Sequence, residues 1–282
     1  MATLFPIQSI LQSKGRLLDI SSPVVMGILN ATPDSFYNKG READLDSLLA
    51  NADKMLEAGA VILDIGGAST KPGQELIGEE EELKRVMPVV EAICKKYPDV
   101  WLSVDTYNSR VAKETVDAGV SIVNDISAGA YDENMFDTVA SLGVPYIAMH
   151  IQGTPKTMQI APQYGNVVEE VRDHLHRVSY RCQSSGIKDV IIDPGFGFGK
   201  TVGHNFSLLK NLHTFRILGK PILVGLSRKS MVCRTLNIHA EDALNGTTAL
   251  NMVALLQGAS ILRVHDVKEA MEVIKLHIAL AN

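Results

Sequence analysis

VVMGILN (Val24–Asn30) is an apolar run that stops on a polar side chain, and the chain repeats that device seven more times. The others are VILDIGG (Val61–Gly67), WLSVDT (Trp101–Thr106), SIVNDI (Ser121–Ile126), PYIAMH (Pro145–His150), VIIDPGF (Val190–Phe196), PILVGLS (Pro221–Ser227) and ILRVHD (Ile261–Asp266). Short continuous apolar runs rich in Val and Ile are what strands buried on both faces require. Helix-length stretches with apolar residues three and four apart separate most of them. Eight strand–helix alternations predict an α/β fold, a closed (β/α)8 TIM barrel whose site sits where the strands end. Asn30, Asp64, Asp105, Asn124, Asp193, Ser227, Arg263 and His265 all fall at those ends.

Between the runs, Leu45, Leu48, Leu49, Ala52, Met55 and Leu56 follow a helical period, and Gly59 stands where a left-handed C-terminal cap belongs. Glu79–Tyr97 has an acidic first turn and Lys95-Lys96 in its last, matched to the helix dipole, with Pro88 predicting a kink or a break. Val111–Ala118, Phe136–Leu142, Val167–Cys182, Phe206–Leu212, Ala243–Leu256 and Val267–Leu280 read as the other helices. Residues before Pro23 read as a hairpin turning at Lys14-Gly15 and closing the lower end of the barrel. No linker or low-complexity tract divides the chain, so one barrel domain over residues 1–282, with a core of about 22–277, is expected. Its 282 residues, 46% of them hydrophobic, and net charge of −5 suit an enzyme acting on small molecules and argue against nucleic acid or anionic membrane as partner. Three cysteines without metal-type spacing, no signal peptide and no bilayer-length apolar run predict a cytoplasmic protein.

Asp64, Asp105, Asn124 and Asp193 come from four different strands and should converge at one mouth. Such a cluster can bind a divalent metal, act as acid and base, or hydrogen-bond a nitrogen-rich heterocycle. A carboxylate accepting two parallel N–H bonds matches the amidine-like edge of a 2-aminopyrimidinone, and an asparagine reads donors and acceptors alike. Ser227-Arg228-Lys229-Ser230 follows the seventh strand, and Arg263 and His265, two apart, point the same way from the eighth. That is where barrels commonly hold phosphate. The glycine-rich run Asp193–Lys200 lacks dinucleotide spacing and instead suits a backbone that approaches a flat ligand, with Phe196 and Phe198 nearby. Two long connections, Ala31–Asp44 and Ala68–Glu79, read as mobile loops over the mouth after the first and second barrel strands.

The motifs Met26–Phe36, Ser103–Thr106, Asn124–Ile126, Met149–Gly153, Asp193–Lys200, Ser227–Ser230 and Arg263–Asp266 together resemble dihydropteroate synthase, over about Lys14 to Leu276. The resemblance implies a (β/α)8 homodimer of folate biosynthesis. It would join 4-aminobenzoate to 6-hydroxymethyl-7,8-dihydropterin diphosphate and release pyrophosphate with Mg2+ as cofactor. It implies that Asp105, Asn124, Asp193 and Lys229 hold the pterin above Asp64, with Met149, Phe198 and Gly225 around it. Asn30, Thr70, Arg263 and His265 would take the diphosphate, with Asn30 also on Mg2+. Pro33, Phe36, Ser69, Thr70, Lys71, Pro72, Phe198, Lys229 and Ser230 would bound the arylamine pocket. The catalytic set so implied is Asn30, Lys229, Arg263 and His265.

The chain departs from the family pattern in its two loops. Asn38-Lys39-Gly40 stands where most members have Asp-Gly-Gly, Ala68 replaces a glutamate, and Lys71 replaces an arginine. These changes predict secure pterin binding with altered arylamine handling. Two further readings use the same barrel. One is a pterin-binding paralogue that does not condense. The other is a methyltetrahydrofolate:corrinoid methyltransferase, a class that would lack Thr32–Phe36 and Ser227–Ser230. The last two helices are the expected dimer surface.

Overall fold

The computed structural model describes residues 6–31 and 41–281. Two short strands open it, β1 (Ile10–Ser13) and β2 (Arg16–Asp19), paired antiparallel. Lys14 and Gly15 both have positive φ, 48° and 80°, the tight primed turn that matches strand twist. The barrel strands are β3 (Val24–Asn30), β4 (Ile62–Gly66), β5 (Trp101–Asp105), β6 (Ile122–Asp125), β7 (Tyr146–Met149), β8 (Val190–Asp193), β9 (Leu223–Val224) and β10 (Ile261–Val264). They form one parallel sheet in the order β8-β7-β6-β5-β4-β3-β10-β9, and a parallel bridge from Ile192 to Ile222 joins its two ends into a ring. All eight sequence runs contribute a strand.

The helices are α1 (Arg41–Glu57), α2 (Glu79–Lys96), α3 (Ser109–Asp117), α4 (Met135–Leu142), α5 (Val167–Ser184), α6 (Val202–Lys210), α7 (Ser230–Leu236), α8 (Leu244–Leu256) and α9 (Val267–Ala281). Gly59 has φ +103° just past α1, as its capping position requires. Helix α2 runs through Pro88 unbroken. The sequence reading placed a helix at Phe206–Leu212. The helix instead starts at Val202, capped by a box in which Thr201 Oγ1 accepts from His204 N, and the chain then tightens into a 3-10 segment at Leu212–Leu218. Helix α7 has no counterpart in that reading.

Alternation along the strands separates two surfaces. Val25, Leu63, Leu102, Val123, Ala148, Ile192, Val224 and Leu262 face outward into the shell of helices. Met26, Ile62, Trp101, Ile122, Ile147, Ile191, Leu223 and Ile261, one from each strand, face inward and pack with Leu11, Leu18 and Ile20 of the hairpin region. This layer plugs the lower end, as expected of the hairpin. Two residues further along each strand, the inward positions become Ile28, Asp64, Ser103, Asn124, Met149, Asp193, Gly225 and Arg263. The apolar plug thus passes directly into a mostly polar layer.

Candidate functional site

Arg263 organises the polar layer. Its Nε donates to Asp64 Oδ2 at 2.6 Å and its Nη2 to Asp105 Oδ2 at 2.7 Å. Asn124 Nδ2 donates to the same Asp64 oxygen at 3.1 Å, while Asp64 Oδ1, fully buried, has no partner among the described residues. A buried acceptor left without a donor is costly. Burial works against the charge of Arg263, but Asp64 and Asp105 more than offset it and keep the guanidinium protonated. The Asp105 carboxyl is raised above the usual range because burial outweighs Arg263.

Asp193 ends β8 and accepts from Gly195 N at 2.7 Å. Burial raises its carboxyl, with Lys229 opposing. Lys229 Nζ donates to the Phe196 carbonyl and lies 4.8 Å over the Phe198 ring. Burial pushes its pKa down to about 8, despite Asp193. The glycine-rich loop that presents these groups is stapled from below by buried Lys200. Its Nζ bonds the carbonyls of Gly195 and Phe198, each at 2.9 Å, and meets His150 Nδ1 at 2.9 Å. At Gly195 (φ +68°) a Cβ would fall 1.9 Å from the His150 carbonyl oxygen, so the close approach requires glycine.

Arg228 holds the loop after β9 in a left-handed conformation (φ +56°). Its Nε and Nη2 bond Asp266 at 3.0 and 2.6 Å, tying that loop to the end of β10. Next to this tie, Ser227 Oγ lies 3.0 Å from His265 Nδ1. Desolvation, then the cations Arg263 and Arg228, pull the imidazole pKa down to about 4, so His265 is neutral at pH 7.

A cavity of 330 Å³ opens above this floor, a size suited to a small ligand. Of the residues singled out in the sequence, Asn30, Ser69, Thr70, Lys71, Pro72, Asp105, Phe198, Gly225, Lys229, Ser230, Arg263 and His265 line it. Asn124, Asp64, Asp193 and Met149 are buried at 4, 0, 5 and 4% exposure and do not line it; the first two bond within the floor, Asp193 caps Gly195, and Met149 packs with Tyr107 and Ile126. Pro33, Phe36 and Asn38 lie outside the described residues. Ala68 lines the cavity as well and packs against the apolar cluster of Tyr107, Ile126 and Met149. The wall also includes Phe196 and Gly197 of the glycine-rich run and Ser227 and Arg228 of the cationic set, all expected near the mouth, together with Ile28 and Met158, which the sequence does not single out. Ile28 and Ser227 follow from strand alternation; nothing local in the sequence marks Met158.

The loop after β4 is braced at both ends. Arg85 Nη1 donates to the Gly67 carbonyl at 2.9 Å, and Ile77 N donates to Tyr107 Oη at 2.9 Å. Among the described residues, no three His, Cys, Asp or Glu side chains gather as a metal cage, and no helix is long and apolar enough to cross a membrane.

Residues 26–265 match the model of a family described as pterin binding enzyme. The chain is 45% identical over 266 residues to the dihydropteroate synthase of Escherichia coli (strain K12), with 94% of each chain covered. A solved structure of the Yersinia pestis dihydropteroate synthase with a sulfonamide drug complex is similar at a TM-score of 0.91 and 43% identity, covering 96% of this chain and 99% of that one. A solved structure of the Xanthomonas albilineans dihydropteroate synthase with 4-aminobenzoic acid is similar at a TM-score of 0.90 and 38% identity, covering 97% and 98%.

Proposed function

The chain belongs to the dihydropteroate synthase family of pterin-binding enzymes, and from that membership we infer that it condenses 6-hydroxymethyl-7,8-dihydropterin diphosphate with 4-aminobenzoate in folate biosynthesis. The observation that carries the reading is the inward polar layer of Asp64, Asp105, Asn124, Asp193 and Arg263, set beneath a cavity with a cationic rim. In this reading the donor-rich edge of the pterin points down at Asp193 and Asn124, which lie in the floor behind the cavity wall, and Lys229 donates to its acceptor side. Asp64 keeps Arg263 and Asn124 oriented from below. The diphosphate lies toward Asn30, Thr70, Arg263 and His265. The amine sits among Ser69, Thr70, Lys71, Pro72, Phe198, Lys229 and Ser230.

The chemistry requires charge stabilisation at two places. The methylene C–O bond breaks, its electron pair leaves with pyrophosphate, and the pterin delocalises the cation left behind. Arg263 offsets the departing anion, and His265 takes up a proton as negative charge builds beside it; preorganised electrostatics of this kind are usually the largest catalytic contribution. The amine nitrogen then donates its lone pair to the methylene carbon, and the proton it sheds passes to the released pyrophosphate. Orientation within the pocket contributes roughly 7–11 kcal/mol to such a step. Asn30 offers one neutral hard oxygen at the rim, a donor set suited to a hydrated Mg2+ carried in on diphosphate oxygens. Bound there, Mg2+ would add Lewis-acid stabilisation of the leaving group.

A homodimer and a cytoplasmic location belong to the same reading. Leu256 on α8 and Leu276, Ile278 and Leu280 on α9 are exposed apolar side chains on two helices that pack together, a surface suited to a second copy. The three cysteines are unpaired, as a reducing compartment favours. The deciding experiment is pyrophosphate release from the pterin diphosphate with Mg2+ present, with and without 4-aminobenzoate. Release that depends on the amine is expected; tight pterin binding with no turnover would overturn the synthase reading in favour of a non-condensing paralogue.

A further inference from the structure

The loop from β7 to α5 is not among the two loops the sequence singles out, yet it holds the mouth together. Pro155 O accepts from Gly73 N at 3.0 Å, and Lys156 pairs with Glu75, which docks it on the loop after β4. Gln159 Nε2 donates to Gly197 O at 2.6 Å and Tyr164 Oη to Gly199 O at 2.8 Å, which docks it on the glycine-rich loop. Tyr131 Oη anchors its start through Gly153 O at 2.9 Å. Between these ties the backbone makes a tight turn, with Met158 N donating to Thr154 O at 2.7 Å. Gly153 has φ +83°, and a Cβ there would sit 3.0 Å from Thr157 Oγ1 and 3.4 Å from Met158 Cα. The turn is therefore preorganised, and it buries Pro155 and Met158, of which Met158 reaches the cavity. Lys156, Thr157, Gln159 and Ile160 are exposed, whereas Met158 is 3% exposed and forms part of the cavity wall.

We propose that Met158 is a specificity-determining residue of the arylamine subsite, setting its width against the benzene ring of the incoming amine. The inference rests on the synthase reading above, which gives the facing walls, Ser69–Pro72 and Phe198, to that ring. A thioether is polarisable, adaptable and favourable against aromatic edges, so it closes on an unsubstituted ring while yielding little room for a ring substituent. Both neighbouring walls are bonded to the turn that carries it, so the gap it sets is fixed by backbone hydrogen bonds and not by the side chain alone.

Steady-state pyrophosphate release by the full chain tests this, using 4-aminobenzoate and 4-amino-3-methylbenzoate as alternative amines. For Met158→Ala, KM for 4-aminobenzoate should rise about tenfold and the preference for it over the methylated amine should shrink by a similar factor. KM for the pterin diphosphate should stay unchanged, and Met158→Leu should restore most of the preference. An unchanged preference in Met158→Ala overturns the inference while leaving the synthase reading intact. An equal rise in both KM values also overturns it, since that marks a merely structural role. If the unmodified chain shows no amine-dependent release, the synthase reading fails and the inference fails with it.

Discussion

Replacing Arg263 by methionine keeps much of the side-chain length and removes only the cation that Asp64 and Asp105 share. Asp64 is completely buried and Asp105 nearly so, at 0 and 12% side-chain exposure. Breaking a buried pair by deleting one partner costs about 3–5 kcal/mol, because the remaining charge is left uncompensated. The cost should depend on pH. Asp105 is already raised by burial, and Arg263 is the main influence holding it down, so its pKa climbs further in the variant. A carboxyl with a folded pKa above its unfolded value contributes most stability below the unfolded value, near pH 4, and loses it as pH rises through the folded value. In the unmodified protein that loss ends once its own folded pKa is passed; in Arg263→Met it continues to higher pH. The stability gap should widen by about 1.4 kcal/mol per pH unit over that interval. Urea unfolding at pH 6, 7, 8 and 9 measures it, and the double variant Arg263→Met/Asp105→Asn should recover most of the loss. A gap independent of pH, or no recovery in the double variant, would refute the view that Arg263 is the main influence holding the Asp105 carboxyl down.

Gly195→Ala should lower Tm by roughly 6–12 °C, since its Cβ would meet the His150 carbonyl and something must shift, a change worth about 3 kcal/mol; an unchanged melt would show the loop to be pliant. His265 is neutral above about pH 4 in the free protein, and an anion bound beside it should draw a proton onto the ring. Pyrophosphate affinity should accordingly improve between pH 8 and pH 5 by more than in His265→Gln, and calorimetry giving identical pH slopes for the two would remove the histidine from the anion site. Asn38→Asp together with Lys71→Arg should lower KM for 4-aminobenzoate by about two- to fivefold, the worth of one solvent-screened charge contact of about 0.5–1 kcal/mol. Equal KM values would mean that these departures are neutral toward the amine.

The barrel was legible because period-two alternation and apolar runs act locally: from Ile62 to Asp64, or Ile191 to Asp193, two residues suffice to say which side chain faces the axis and where the plug ends. Helix α6 was misplaced because its start is signalled by Thr201 and His204, an N-cap box with histidine in place of the usual Glu or Gln. Strand β9 is only Leu223–Val224, and nothing in the run Pro221–Ser227 marks where its ladder ends. In the site, Arg263 read as an anion ligand from its place at a strand end. Its bonds to carboxylates 199 and 158 positions away depend on ring closure, which no local pattern encodes. Met158 was invisible for the same reason: its loop becomes part of the wall only through partners supplied by the loops after β4 and β8.

The joint between β8 and β9 rests on one bridge, Ile192 to Ile222, beside a strand of two residues. Asp193 and the Phe196 carbonyl stand on one side of that joint and Lys229 on the other, already latched across it by its bond to Phe196. On the proposed reading, a pterin gripped by Asp193 and Lys229 together would act as a rivet through the thinnest part of the hoop. Binding free energy spent there also raises the cost of local opening. The amide of Ile192, bonded to the Pro221 carbonyl across that joint, should then exchange with solvent more slowly when the cavity above it is filled.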